Sequence, residues 1–346
     1  MTWSVYQHWD PLKVCAVGRS YPPEFYSWIT KPVVRSLFEK IAIETEEDYQ
    51  NIIKKLESFG VIVLRPDMYE QIHYLEGDDS KYIPPPMTPR DYTVMIGDVF
   101  YESTNSLPHW KSGWESIIEQ VRSQGNVVKR APNPMIIGSQ VSRVGKDLYF
   151  GTDNYKQNQL IYQDFLDQEF RNTRNHVVNT GGHSDGTYCP VCPGLIVSLK
   201  DVPTYADTFP DWEVVYLPGQ SWTAIWPFLN LKAKNKGKWW IPGFENNQDV
   251  IDFVEQWLGH WTGYVEETVF DVNMLIIDPK NVLVFNYNKK VFDAFDRYGI
   301  TPHIVPFRHR YFWDGGIHCV TSDLHRDGTM QDYFPERKNV RQDKKV

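Results

Sequence analysis

Gly315-Gly316-Ile317-His318-Cys319 places one cysteine near the C-terminus, behind two glycines and beside a histidine. Glycines let a backbone approach a substrate closely, and a thiolate is among the best nucleophiles a protein carries. Two other stretches offer it partners. In Gly181-Gly182-His183-Ser184-Asp185-Gly186-Thr187, extended backbone would turn His183 and Asp185 to one face. That would set a proton shuttle beside an anion. In Pro89-Arg90-Asp91, Asp91 leads into the apolar run Tyr92-Thr93-Val94-Met95-Ile96. Each alone has a plainer account, a hydrogen-bonded structural pair for His183 and Asp185 and a turn carboxylate for Asp91. Together they fit one task. A guanidinium is planar and cationic with five N–H donors, and Asp91 and Asp185 can clamp it by paired charge-assisted hydrogen bonds. Its carbon then faces Cys319, whose thiolate form the cation favours. His183 protonates the leaving amine, and the reaction runs ping-pong through a covalent thiouronium on the cysteine. His318, beside the nucleophile, is read as a further substrate contact.

A metal site is the rival reading. His183, Asp185, Cys189 and Cys192 spell H-x-D-x3-C-x2-C. One Cys-x2-Cys without a second ligand pair is weak for structural zinc. Zinc nucleobase deaminases use H-x-E and a distant P-C-x-x-C. Buried structural cysteines are the better account of Cys189 and Cys192, and Cys15, within Val14-Cys15-Ala16-Val17, reads as a core strand residue. A zinc site is therefore the weaker reading.

The elements that must position these residues recur. A helical stretch breaks and gives way to a short β-branched strand, often closed by proline. Thr45 to Ser58, with Thr45 as N-cap and acids at Glu46, Glu47 and Asp48, leads to Val61-Ile62-Val63-Leu64-Arg65-Pro66. Trp114 to Ser123 leads to Val127-Val128, Gln157 to Phe170 leads to His176-Val177-Val178, and Lys289 to Arg297 leads to His303-Ile304-Val305. A shorter version ends at Glu213-Val214-Val215-Tyr216-Leu217. Strand pairs precede most units, as in Val94-Met95-Ile96, Gly97-Asp98, Val99-Phe100-Tyr101, and again across Asp278-Pro279-Lys280-Asn281. About five strand–strand–helix–strand units predict a closed pseudo-symmetric array, with an ordinary open α/β sheet as the alternative.

Residues 219–264 break the pattern with Trp222, Trp226, Trp239, Trp240, Trp257 and Trp261 and a basic run at Lys232, Lys234, Lys236 and Lys238. A lid, an oligomer surface and a local satellite core all fit. With that segment as an insertion, 1–336 reads as a single catalytic domain, and 337–346 as a short basic tail (Arg337, Lys338, Arg341, Lys344, Lys345) in solvent.

A hydrophobic content of 41% supports a substantial core, and a net charge of −8 argues against nucleic acid or an anionic membrane as partner. No apolar run approaches the ~20 residues of a membrane helix, and the first residues show no signal peptide. Four cysteines in so long a chain do not make a disulfide framework. A reducing cytoplasmic location is expected, with small molecules as partners and homo-oligomers compatible with the aromatic surface.

Gly315-Gly316-Ile317-His318-Cys319-Val320-Thr321 with Asp323, Arg326 and Gly328 resembles the glycine amidinotransferase family. So do His183-Ser184-Asp185, Pro89-Arg90-Asp91 and the opening Trp9-Asp10-Pro11-Leu12-Lys13-Val14 with Val17-Gly18-Arg19. Agmatine deiminases share a Gly-Asn-Ile-His-Cys version of the cysteine motif. The resemblance runs in order from about Tyr6 to Tyr333. It implies the pentein fold, a five-bladed α/β propeller of ββαβ units. It also implies transfer of an amidino group from arginine to an amine, classically glycine, giving ornithine and guanidinoacetate. Position by position, Cys319 matches the nucleophile, His183 the general acid/base, and Asp91 and Asp185 the guanidinium-binding carboxylates, and the resemblance implies no metal and no organic cofactor.

The chain departs from that pattern. The family's Phe-Asp-Ala-Ala-Asp stretch, whose first Asp pairs with the catalytic histidine, lines up with Ile136-Ile137-Gly138-Ser139-Gln140. Both acids are absent, which predicts a less basic and less firmly oriented histidine. Where the family has an arginine for the donor's carboxylate, this chain has Val202, and Lys200 could substitute as a point charge. These departures leave two alternatives to an amidinotransferase: a guanidino-group hydrolase using the same Cys-His-Asp site, and a non-catalytic protein that binds a guanidino ligand.

Overall fold

The computed structural model describes residues 2–69, 82–103, 110–152, 155–199, 208–217, 241, 243–244, 246–258, 271–313 and 315–337. Fifteen described strands form five three-stranded sheets of one design. Each has an antiparallel pair followed by a parallel third strand.

The first sheet joins the two ends of the chain. β1 (Leu12–Val17) runs parallel to β2 (Ile62–Leu64) and antiparallel to β15 (Thr321–Arg326). The others follow in order: β3 (Thr93–Ile96), β4 (Val99–Glu102) and β5 (Val127–Arg130), then β6 (Val141–Val144), β7 (Asp147–Thr152) and β8 (Arg174–Asn179). Next come β9 (Tyr188–Cys192), β10 (Leu195–Ser198) and β11 (Glu213–Tyr216), then β12 (Leu275–Asp278), β13 (Asn281–Val284) and β14 (Thr301–Ile304). This is the five-bladed α/β propeller expected of the pentein fold, closed by the pairing of β1 with β15 rather than left as an open sheet.

The hairpins explain themselves from sequence. Two residues separate Ile96 from Val99, Val144 from Asp147 and Cys192 from Leu195. Each of these turns holds a glycine at positive φ, namely Gly97, Gly145 and Gly194. The fourth, Asp278 to Asn281, has proline and no glycine. There Asp278 Oδ1 accepts from Lys280 N at 2.8 Å, an Asx turn.

Burial falls outward along each blade. β3 and β6 are buried at every residue, whereas β5 and β14 are mostly exposed or half-buried. The first strand of each unit therefore faces the centre.

Helices α1 (Pro32–Ser58), α2 (Trp110–Ser123), α3 (Tyr155–Glu169) and α5 (Lys289–Tyr298) cross between parallel strands. α4 (Gln248–Trp257) and α6 (Arg310–Trp313) are additions. The expected helix start at Thr45 is wrong. α1 begins thirteen residues earlier behind Pro32 at its first position, where a missing N–H costs nothing. Thr45 lies in its buried stripe with Val34, Leu37, Phe38, Ile41, Tyr49 and Ile52, and its Oγ1 accepts from Trp313 Nε1 at 2.9 Å. The acids read as a first turn instead grip neighbours. Glu46 takes Arg65 at 2.8 and 2.9 Å, and Asp48 takes Arg308 Nε at 2.9 Å.

Of the tryptophan-rich segment, α4 is described, and it packs Phe253 and Trp257 against Trp28 in the largest apolar cluster. Trp222, Trp226, Trp239, Trp240, Trp261 and the lysine run lie outside the described residues. Arg337, expected in solvent with the tail, is instead clamped to Asp147 Oδ1 at 2.8 Å and Tyr149 Oη at 2.9 Å. Residues 338–346 lie outside the described set. Among the described residues no helix is long and apolar enough to cross a membrane.

Candidate active site

The propeller gathers the chemistry by repeating one position. Asp91 stands just ahead of β3, Ser139 ahead of β6, Asp185 ahead of β9, Asn273 ahead of β12 and Cys319 ahead of β15. Each comes two or three residues before the first strand of its unit. Pseudo-fivefold symmetry thus brings residues up to 228 positions apart to one end of the central axis, as Arg90 Nε shows by donating to the carbonyl of His318 at 2.7 Å.

His183 and Asp185 do not share one extended stretch. A single 3-10 turn spans Ser184–Gly186, with His183 in extended conformation at its N-cap. The turn is held from behind by backbone. Asp185 N donates to Ser139 O at 3.2 Å, and Ser184 Oγ donates to Gln140 O at 2.9 Å. Ser139 and Gln140, in the stretch that lacks the family's acids, hold the turn through their carbonyls. Asp91 also sits in a 3-10 turn, Pro89–Asp91.

The turn divides its two functional side chains between two partners. His183 Nδ1 lies 3.6 Å from Asp91 Oδ1, both side chains about a quarter exposed. Asp185 is 8% exposed and faces inward. Its Oδ2 accepts from His318 Nδ1 at 2.8 Å and lies 3.6 Å from Cys319 Sγ. A carboxylate only accepts, so His318 carries its proton on Nδ1 there. The His318 imidazole, expected to touch substrate, is turned onto Asp185. Lys200, the expected carboxylate reader, and Val202 lie outside the described residues.

Asn273 was not picked out from the sequence. Its Oδ1 accepts from the backbone N of His318 at 2.8 Å and of Cys319 at 3.2 Å. Its Nδ2 donates to Asp185 O at 3.2 Å and to Cys319 Sγ at 3.1 Å. Applying the blade repeat to Met274-Leu275-Ile276-Ile277 would have found it.

Beneath the cysteine three guanidinium groups share one carboxylate. Asp323 meets Arg90 NH1 at 3.0 Å, Arg143 NH2 at 2.7 Å and Arg326 Nε at 2.7 Å, with all four side chains about 1% exposed. Burial alone would raise the Asp323 carboxyl, but Arg143, Arg90 and Arg326 outweigh it and hold it well below the usual range. The same cluster acts on two buried histidines. Burial, then Arg143, push His8 well below its ordinary value, and burial, then Arg90 and His8, do the same to His318. Both stay neutral near pH 7.

Cys319 is 3% exposed. Burial pushes the thiols of Cys15 and Cys189 up to about 12 and of Cys192 to about 11, which leaves them inert. Cys189 and Cys192 lie in β9, with Pro190 and Val191 between them. Among the described residues no three His, Cys, Asp or Glu side chains group as a metal would require. A cavity of about 800 Å³ lies away from this chemistry between residues 19–23 and the outer face of α1. A cavity of about 20 Å³, the size of one water, lies behind Asp185 and is lined by His8, Ser139, Tyr188 and His318.

No family model matches the chain. It is 22% identical to the mitochondrial glycine amidinotransferase of Xenopus laevis over 390 residues, which cover 95% of this chain and 84% of the relative. Among solved structures it resembles SxtG, an amidinotransferase of the saxitoxin biosynthetic pathway of Microseira wollei, with TM-score 0.68, 18% identity, and 96% of this chain and 100% of that one covered. It also resembles the inosamine-phosphate amidinotransferase StrB1 of Streptomyces griseus, with TM-score 0.66, 18% identity, and 96% and 99% covered.

Proposed function

The chain belongs to the amidinotransferase family of pentein-fold enzymes, and from that premise we propose that it moves the amidino group of arginine to an amine such as glycine, giving ornithine and guanidinoacetate. One observation carries the assignment of roles. A single turn sets Asp185 3.6 Å from Cys319 Sγ while His183, two residues earlier, stands 3.6 Å from Asp91.

The guanidinium lies between the carboxylates of Asp91 and Asp185, which supply charge-assisted acceptors for its N–H groups. Its arrival neutralises Asp185, and the Cys319 proton passes to His183, so the thiolate forms opposite a cationic carbon and the histidine is charged for the next step. Sulfur bonds to that carbon, the bond to the ornithine nitrogen breaks, and His183 protonates the leaving amine. In the second half the acceptor amine gives a proton to His183, its nitrogen bonds to the carbon, and the C–S electron pair returns to sulfur. Asp91 serves twice in this scheme. It clamps substrate and, at Nδ1, orients the histidine whose usual partner is replaced by Ile137. A reducing compartment keeps such a thiol usable.

Mass spectrometry of the intact protein and its products, after incubation with arginine with and without glycine, tests this reading. Expected are an amidino adduct on Cys319 with ornithine release, then guanidinoacetate when glycine is added. Citrulline and ammonia without any acceptor would assign the site to a hydrolase instead. Ligand binding without product from any guanidine would leave only the non-catalytic reading.

A further inference from the structure

We propose that Asn273 is a catalytic residue, its side-chain N–H holding the Cys319 sulfur in thiolate form and receiving the sulfur's electron pair when the acceptor amine displaces it. The orientation of the amide is fixed by its partners. The backbone N–H groups of His318 and Cys319 can be met only by an oxygen, and the carbonyl of Asp185 only by a donor. The NH2 must therefore point toward Sγ, 3.1 Å away. With those four contacts both donor hydrogens and both acceptor positions of the amide are used.

Gly316 confirms how closely this amide is seated. A Cβ there would lie 2.2 Å from Asn273 Oδ1 and 2.5 Å from its Cβ, so the second glycine of the cysteine motif makes room for Asn273. The contact also changes with the reaction. A thiolate is a strong acceptor, whereas the sulfur of an amidino-cysteine carries no such charge. The hydrogen bond therefore strengthens as the C–S bond breaks and favours the departing thiolate.

The role in the second half-reaction rests on the amidinotransferase reading, but the contact with the thiolate does not. The first test accordingly uses no guanidine. Iodoacetamide alkylation of Cys319 is followed against pH by peptide mass spectrometry in the wild type and in Asn273→Asp. Aspartate keeps an acceptor for the two backbone N–H groups and removes the donor to sulfur. The expected result is an alkylation rate at pH 7 lower by about tenfold or more, with the profile displaced to higher pH by about one unit. An unchanged profile in a variant that melts like wild type would reduce Asn273 to a loop brace and overturn the proposal. Should that variant not fold, the wild type labelled with 15N-asparagine decides. The Asn273 side-chain amide resonance is expected to move as Cys319 ionises and again on alkylation, and a resonance indifferent to both sinks the idea.

Discussion

Two regions meet at Cys319 and are built on opposite principles. Below it, Asp323 is locked among Arg90, Arg143 and Arg326 at 2.7–3.0 Å in a layer almost without solvent. Above it, His183 and Asp91 face each other at 3.6 Å, each about a quarter exposed. The buried cluster ties blades together. Arg143 NH1 donates to Met95 O in β3 and Arg326 NH2 to Ile276 O in β12. Short, buried ion pairs fix geometry. Looser, wetter ones can exchange a partner for substrate. The difference separates what must not move from what must respond.

The sharpest way to break the comparison is at the sulfur they share. Cys319→Ala is expected to lower turnover by about 10⁴-fold or more in a product assay while leaving the melting profile in place. At the rim, His183→Gln should lower kcat by roughly 10²–10⁴-fold, the usual worth of a positioned acid–base group, with stability within about 0.5 kcal/mol of wild type by denaturant titration. Asp91→Asn should cost about 10–100-fold in kcat/KM, from one charge-assisted contact. The core should show the reverse profile. Asp323→Asn leaves three buried cations short of their anion and is expected to lose about 3–5 kcal/mol of stability, read by urea unfolding. A core variant that lost activity but no stability would erase the distinction.

The smallest effect sharpens it. His8 and His318 have folded-state values below the unfolded ~6.5. The unfolded chain therefore binds more protons as pH falls, and their contribution is complete above about 6.5 and lost below it. Each is expected to add about 1.4 kcal/mol per pH unit to the slope of stability between that point and its folded value. His8→Gln, which keeps an acceptor for the backbone N–H of Arg143 that His8 Nε2 now takes at 3.1 Å, should remove one such slope in unfolding titrations from pH 7 to 5. An unchanged slope would mean His8 is not held neutral. Asp323 acts at the other end of the range. Its depressed carboxyl stabilises the fold above about pH 3.9, and that contribution goes as pH falls toward its folded value.

Much of the site was legible because chemistry constrains residue type. A thiol, an imidazole and carboxylates suited to a guanidinium can be picked out one stretch at a time, and Cys319, His183, Asp185 and Asp91 were the candidates; the fold sets Asp185 3.6 Å from Cys319 Sγ and His183 3.6 Å from Asp91. Asn273 was not, since an isolated asparagine before an apolar run has many uses and only its four contacts single it out. Arg90 and Arg326 were named only as parts of motifs and Arg143 not at all, and none was given a role, for a related reason. Nothing local says that an arginine will be buried, and their anion, Asp323, lies 180 residues from Arg143 in sequence.

The sequence by itself determined the repeating units, their hairpin turns and the kinds of group available for catalysis, because turns and strand patterns depend on neighbours in the chain. Where α1 begins, which side of the His183–Asp185 turn faces the sulfur, and that His318 Nδ1 donates to Asp185 were decided only by the tertiary structure. Those outcomes depend on closing five blades about one axis, and each is set by a partner on another blade, whose position no local pattern encodes.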